Sequence, residues 1–270
     1  MTRSLSRALR IFSRLCLVAL VVLAPAVFGQ EAAPPATKEH SHGHAHGEGG
    51  HAAHGEGHHH AHGDETSGMG HDHDFSDAEH WFQVFESADR VEWQKPEDVV
   101  RLLGLAPGMT AVDLGAGTGY FLPYLATAVG KSGKVVALDP EPNMVTFLRE
   151  RIAKAGMTNA EARQIPYDDP ELAPASVDRI LIVNTWHHIG DRGAYSRRLF
   201  QALAPGGAVY VVDYTRDSPR GPAKEHRLEP EAVARELAAG GLEAEIVDEE
   251  SLPWQYVVVG RRAAAPGSGR

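Results

Sequence analysis

Cysteine is nearly missing from this chain. Its 270 residues hold one, Cys16, which rules out a disulfide framework. With no Cys-x-x-Cys and no His-Glu-x-x-His element, zinc sites of those kinds are excluded as well. Basic charge is also scarce: 26 Lys and Arg stand against 36 Asp and Glu, a formal charge of −10. Four of the arginines (Arg3, Arg7, Arg10 and Arg14) fall in the first 29 residues, where there is no acid. The remainder is therefore more acidic still, which argues against a nucleic-acid surface, since that needs a basic face. Apolar runs are short. The stretch Leu15 to Phe28 spans about 14 residues, fewer than the ~20 that cross a bilayer as a helix.

What is present begins with that short run. Arginines followed by an apolar core and small residues at Ala24, Ala26 and Gly29 predict a signal peptide over 1–29 and a protein exported to the periplasm. An uncleaved leader would instead be a membrane anchor; after cleavage no stable span remains. Residues 30–74 are rich in Gly, Ala, His, Glu and Pro. They hold too little apolar surface to offset chain entropy, so a disordered segment is expected. Twelve of the sixteen histidines lie between His40 and His73. Neutral imidazole ligates Zn, Ni and Cu, and His42, His44, His46, His58, His59, His60 and His62 are candidate ligands on a flexible tether.

Order is expected from Phe75. "SDAE" before "WFQVF" has capping-box spacing, and a second helix should run from Pro96 to Gly104. From Thr110 strands and helices alternate. "TAVDL", "KVVALD", "AEARQI", "VDRILIVNT" and "GAVYVVDY" read as strands. "GYFLPYLATAVG", "EPNMVTFLRERIAKAG", "RGAYSRRLFQAL" and "PEAVARELAAGG" read as helices between or after them. "EAEIVDEE" and "QYVVVGRR" close as an antiparallel pair. This pattern predicts an α/β fold with a mainly parallel sheet covered on both faces.

The first strand runs into "VDLGAGTGY". A dinucleotide fingerprint has the spacing G-x-G-x-x-G, but position 120 is Tyr120 and the glycines are Gly115, Gly117 and Gly119. A pyrophosphate needs amides at a helix N-terminus. A tighter turn preceded by Asp113 suits a ligand with an ammonium group and no phosphate. Asp139 ends the second strand, where two carboxylate oxygens can accept both hydroxyls of a ribose. Together these features describe S-adenosyl-L-methionine (SAM).

The segments "VDLGAGTGYF", "VVALDPEPNMV", "SVDRILIVNTWHHI" and "LAPGGAVYVVDY" resemble the class I SAM-dependent methyltransferase family, over about 75–262. The resemblance implies a Rossmann-like, seven-stranded, mostly parallel sheet of order 3-2-1-4-5-7-6. It implies a helical lid over 75–109, a SAM-binding domain over 110–262 and a tail over 263–270. It places Asp113, Gly115, Gly117 and Gly119 against the amino-acid part of SAM and Asp139 on the ribose. Pro140 to Met144 border the adenine, and Asp168 or Asp169 faces the adenine amine. The family's frequent Gly-Asp-Ala is replaced there by "QIPYDDPEL". Asn184, ending the fourth strand, faces the methyl donor.

His188 and His187 follow Asn184 and are candidates for a general base on an acceptor. Arg90, Trp93, Gln94 and Lys95 are candidates for the acceptor side of the lid, and His226 could also reach it. The function this implies is methyl transfer to a small-molecule acceptor. The absence of core cysteine argues against arsenite methylation. The alternative is an exported metal- or adenosyl-binding protein on a catalytically silent methyltransferase fold. The sequence does not specify an oligomeric state.

Overall fold

The computed structural model describes residues 77–248 and 251–264. The leader, the histidine-rich segment with its seven candidate ligands, and the last six residues lie outside them. Among the described residues no helix is long and apolar enough to cross a membrane.

Three short helices come first: α1 (Ala78–Phe85), α2 (Arg90–Gln94) and α3 (Pro96–Leu102). The cap of α1 is Asp77, which accepts from the His80 amide at 3.0 Å. The sequence pattern did not predict α2, because five residues are too few to show a helical period. Lys95, at φ +44, turns the chain from α2 into α3.

The sheet comprises β1 (Thr110–Leu114), β2 (Lys134–Asp139), β3 (Ala160–Gln164), β4 (Val177–Val183), β5 (Leu203–Tyr214), β6 (Glu243–Asp248) and β7 (Gln255–Arg261). Helices α4 (Leu122–Val129), α5 (Pro142–Lys154), α6 (Arg192–Ala202) and α7 (Pro230–Ala239) connect them. The order is β3-β2-β1-β4-β5-β7-β6, with β7 antiparallel to both β5 and β6. This is the Rossmann-like α/β architecture that the resemblance implied.

The side-chain period of two in a strand sends neighbours to opposite faces. On β2, Val135 and Ala137 join Leu122, Leu125, Val145 and Leu148 of α4 and α5. Val136 and Leu138 face the other way, toward the layer of Tyr195, Leu199, Val233 and Leu237 from α6 and α7. Burial on both faces explains why β1, β2, β4 and β5 read as nearly continuous apolar runs. Strand β5 begins at Leu203, four residues before the expected Gly207, because Leu203 already pairs with Val177.

Candidate active site

In an open α/β sheet, ligands bind beyond the carboxyl ends of the strands. Here those ends and the helices α1 and α2 enclose a cavity of about 430 Å³, within the usual range for a small-molecule site. Its floor is the glycine turn after β1, with the tips of β2, β4 and β5 around it.

The three glycines of the turn all have positive φ but do different jobs. A Cβ on Gly115 would lie 2.3 Å from Thr185 Cγ2, so this residue lets the ends of β1 and β4 approach. A Cβ on Gly119 would meet Leu148 at 2.7 Å and Leu122 at 2.9 Å. Gly119 therefore packs the turn onto α5 and α4 and does not line the cavity, unlike its expected role. Gly117 does line it.

Asp139 turns toward this bend. Its Oδ2 accepts from the Gly117 amide at 2.8 Å and its Oδ1 from the Glu141 amide at 3.0 Å. Each oxygen keeps lone-pair capacity for a further donor. Asp113 is 3% exposed and Asp139 5%. Burial raises the Asp113 carboxyl to about 7 against the opposing pull of Arg90. Burial likewise raises Asp139 to about 6, although the two amides oppose it. Two buried carboxylates that cost energy to ionise suit a ligand bearing an ammonium and ribose hydroxyls.

These shifts predict an unusual pH dependence. A carboxyl raised above its unfolded value makes the folded state hold extra protons between the two values. Stability without ligand should therefore fall as pH rises from about 4 to about 7, by on the order of a few kcal/mol. Denaturant titrations across that range check this. Asp113→Asn should flatten the fall, and an unchanged slope would refute the assignment.

The lid is tied to the turn. Glu86 pairs with Arg151 of α5 and accepts from Thr118 Oγ1. Arg90 is buried, donates to Phe85 O at 2.6 Å and Gln94 Oε1 at 3.2 Å, and lies 3.9 Å above the Tyr120 ring. Among the described residues its Nε has no hydrogen-bond partner, nor has Trp93 Nε1. Gln94 is fully buried and does not line the cavity. It passes the network on: Gln94 donates to Gln255, and Gln255 donates to Asn184 Oδ1 at 2.6 Å. Asn184, at φ +54, is thereby held at the cavity wall. Lys95 instead donates to Ser251 O.

Both adjacent histidines line the cavity but differ in setting. His188 is exposed. His187 has a side chain 5% exposed and places Nδ1 2.9 Å from both carboxylate oxygens of Asp213. Asp213 ends the buried part of β5 and was not singled out in the sequence. Its signal was the one that marked Asp139: an acid at a strand tip. Pro140 and Met144 line the cavity. Asp168 and Asp169 do not: Arg198 pairs with Asp169 and donates to the Asp168 carbonyl, and Ile165, Pro166 and Tyr167 stand at the wall. His226 is exposed and outside the cavity. Among the described residues no His, Cys, Asp or Glu cluster could hold a metal ion.

Residues 111–207 match the methyltransferase domain family. This segment and the sheet around it carry the sequence pattern and fold of class I SAM-dependent methyltransferases. An uncharacterized methyltransferase of Mycobacterium tuberculosis is 33% identical over 130 residues, 48% of this chain and 50% of that one. The arsenite methyltransferase of Halobacterium salinarum is 28% identical over 157 residues, 58% of this chain and 39% of that one. A SAM-dependent methyltransferase from Aquifex aeolicus superposes with a TM-score of 0.63 at 27% identity, covering 67% of this chain and 97% of that one. The methyltransferase domain thus spans about half the length of the curated relatives it matches.

Proposed function

We propose that the chain transfers a methyl group from SAM to a small-molecule acceptor. The observation that carries this reading is Asp139, whose carboxylate bridges the Gly117 and Glu141 amides at the floor of the cavity. Asp139 would hold the ribose, and Asp113 with the turn would hold the amino-acid end. Pro140 and Met144 would flank the adenine. When bound, SAM supplies an activated methyl group on a sulfonium. The residues of this chain then have to align the acceptor and exclude water, and positioning alone is worth about 7–11 kcal/mol of barrier. Trp81, Phe85 and Trp93 of the lid cover the cavity and serve that exclusion.

The chemistry named for the halobacterial relative does not carry over, because Cys16 is the only cysteine in the sequence and none falls within 77–264. The leader and histidine-rich segment complete the proposal: an exported enzyme on a tether that binds Zn, Ni or Cu weakly. Its support is compositional, from the arginine-led apolar run and the twelve clustered histidines.

Isothermal titration of the full chain with SAM and with S-adenosylhomocysteine tests the core of the reading. Saturable one-to-one binding is expected. Binding of Zn²⁺ or Ni²⁺ with none of either nucleoside would favour the metal-capture alternative.

A further inference from the structure

The charged groups of the cavity come from two sets of elements. The carboxylates that line it, Asp113, Asp139 and Glu141, come from the tips of β1 and β2. The groups that can carry positive charge, Arg90, Arg220, His187 and His188, come from α2, the β5–α7 loop and the turn after β4. The first set suits the cationic SAM. The second would repel an ammonium acceptor and attract an anionic one.

In that second set His187 is built as a base. The Asp213 carboxylate can only accept, so it holds the imidazole proton on Nδ1 and leaves the Nε2 lone pair available. Nε2 has no hydrogen bond to any described residue, and His187 lines the cavity. Asp213 is itself held, because its Oδ1 also accepts from the Tyr214 amide at 2.8 Å. Trp186, fully buried and bonded to Glu236 at 2.8 Å, anchors the turn that carries the histidine.

The walls nearby are flat rings in fixed positions. Trp93 and Tyr214 line the cavity with their rings 6.3 Å apart, and Trp254, which does not line it, lies 5.8 Å from Trp93. Arg220 sits over Trp93 and Trp254, 5.5 Å from each ring, and pairs with Asp89 of the lid. Gly221, at φ +90, lies so close to Tyr214 that a Cβ would be 2.4 Å from the ring. Arg227 donates to the carbonyls of Ser218, Arg220 and Pro222 and so braces the loop that presents Arg220.

We propose that the acceptor is an aromatic hydroxyl compound, deprotonated by the His187–Asp213 dyad and held as its phenolate between the rings and Arg220. This rests on the methyltransferase reading and names its substrate class. A phenol, with a pKa of about 10 like that of tyrosine, needs a base at neutral pH. A carboxylate acceptor would not need one, and an aliphatic alcohol, a far weaker acid than a phenol, could not be held as its free anion at neutral pH. The hydroxyl proton passes to His187 Nε2, and the phenolate oxygen forms the new O–CH₃ bond. The S–CH₃ bond breaks with its electron pair left on sulfur, giving an aryl methyl ether and a thioether. His187 is the catalytic residue and Asp213 a positioning residue.

The full chain saturated with S-adenosylhomocysteine provides the test, with p-nitrophenol and 4-nitrocatechol as probes. Their absorbance separates phenol from phenolate. Both probes should bind as phenolates, with the ionisation midpoint lowered by at least about one pH unit, a tenfold shift in the ionisation equilibrium. His187→Gln and Asp213→Asn should lose that spectral shift while keeping their S-adenosylhomocysteine affinity. If the buried Asp213→Asn variant does not fold, His187→Gln decides. With SAM, catechol should yield its monomethyl ether, at least about 100-fold more slowly in His187→Gln. Probes bound as neutral phenols, a shift retained in His187→Gln, or no binding of either probe would overturn the proposal and leave SAM binding standing. Failure of S-adenosylhomocysteine itself to bind would overturn the methyltransferase reading as well.

Discussion

Asp139→Ala is expected to weaken S-adenosylhomocysteine binding by roughly 100- to 1,000-fold. The carboxylate is placed to accept from two ribose hydroxyls, and a hydrogen bond to a charged group contributes about 1.5–3 kcal/mol. Losing two such bonds at the lower end of that range, about 3–4 kcal/mol in all, corresponds to this weakening. Stability should change much less than affinity. The substitution strands the Gly117 and Glu141 amides, which is unfavourable. It also removes a carboxylate that burial makes costly to ionise, which is favourable. Asp139→Asn retains one accepting oxygen and should fall between wild type and alanine. Calorimetry on the three proteins reads this directly. Binding by Asp139→Ala within threefold of wild type would mean that the carboxylate does not grip the nucleoside.

Gly115→Ala should destabilise the domain by about 2–5 kcal/mol, from two separable causes. The residue sits at φ +72, where a Cβ costs roughly 1–2 kcal/mol. That Cβ would also fall 2.3 Å from Thr185 Cγ2 and 2.5 Å from its Oγ1, and overpacking of this kind adds about 1–3 kcal/mol. Thr185→Ala in the same chain should restore part of the crowding share and none of the backbone share. Gly117→Ala is the control. It has φ +54, but its Cβ would meet nothing nearer than Phe85 at 3.5 Å, so about 1–2 kcal/mol is expected. Urea titrations of the three variants and the wild type check the order. Equal losses for Gly115→Ala and Gly117→Ala would remove the steric argument.

Most of the sheet was readable because its signals are local. Buried parallel strands announce themselves as apolar runs, and the connecting helices by their period and their Pro and Gly boundaries. Each of the strands β1 to β7 follows a segment quoted from the sequence. Helix α2 was missed because five residues carry no period. Its shape depends on Lys95 in a left-handed turn, on Gln94 bonding to the distant Gln255 and on Arg90 lying over the Tyr120 ring.

The site divides in the same way. Gly115, Gly117, Asp113 and Asp139 were legible because a strand tip and the turn after it are defined by neighbours in sequence. Gly119 was misread, since its neighbours Leu148 and Leu122 come from two packed helices. Asp168 and Asp169 face Arg198, a contact that follows from how α6 docks. The choice between His187 and His188 lay beyond the sequence for the same reason. Adjacent residues in a short turn point different ways, and the carboxylate that selects one of them comes from β5, 26 residues on.

By itself, then, the sequence determined the layers, the strand order through its resemblance, and the chemistry at each strand tip. Only the tertiary structure decided which tips meet: Asp139 with the Gly117 amide, His187 with Asp213, and Asn184 with Gln255. A strand tip and the turn that follows are set by backbone preferances a few residues long, whereas those pairings depend on the register of β1, β2, β4, β5 and β7 across the sheet.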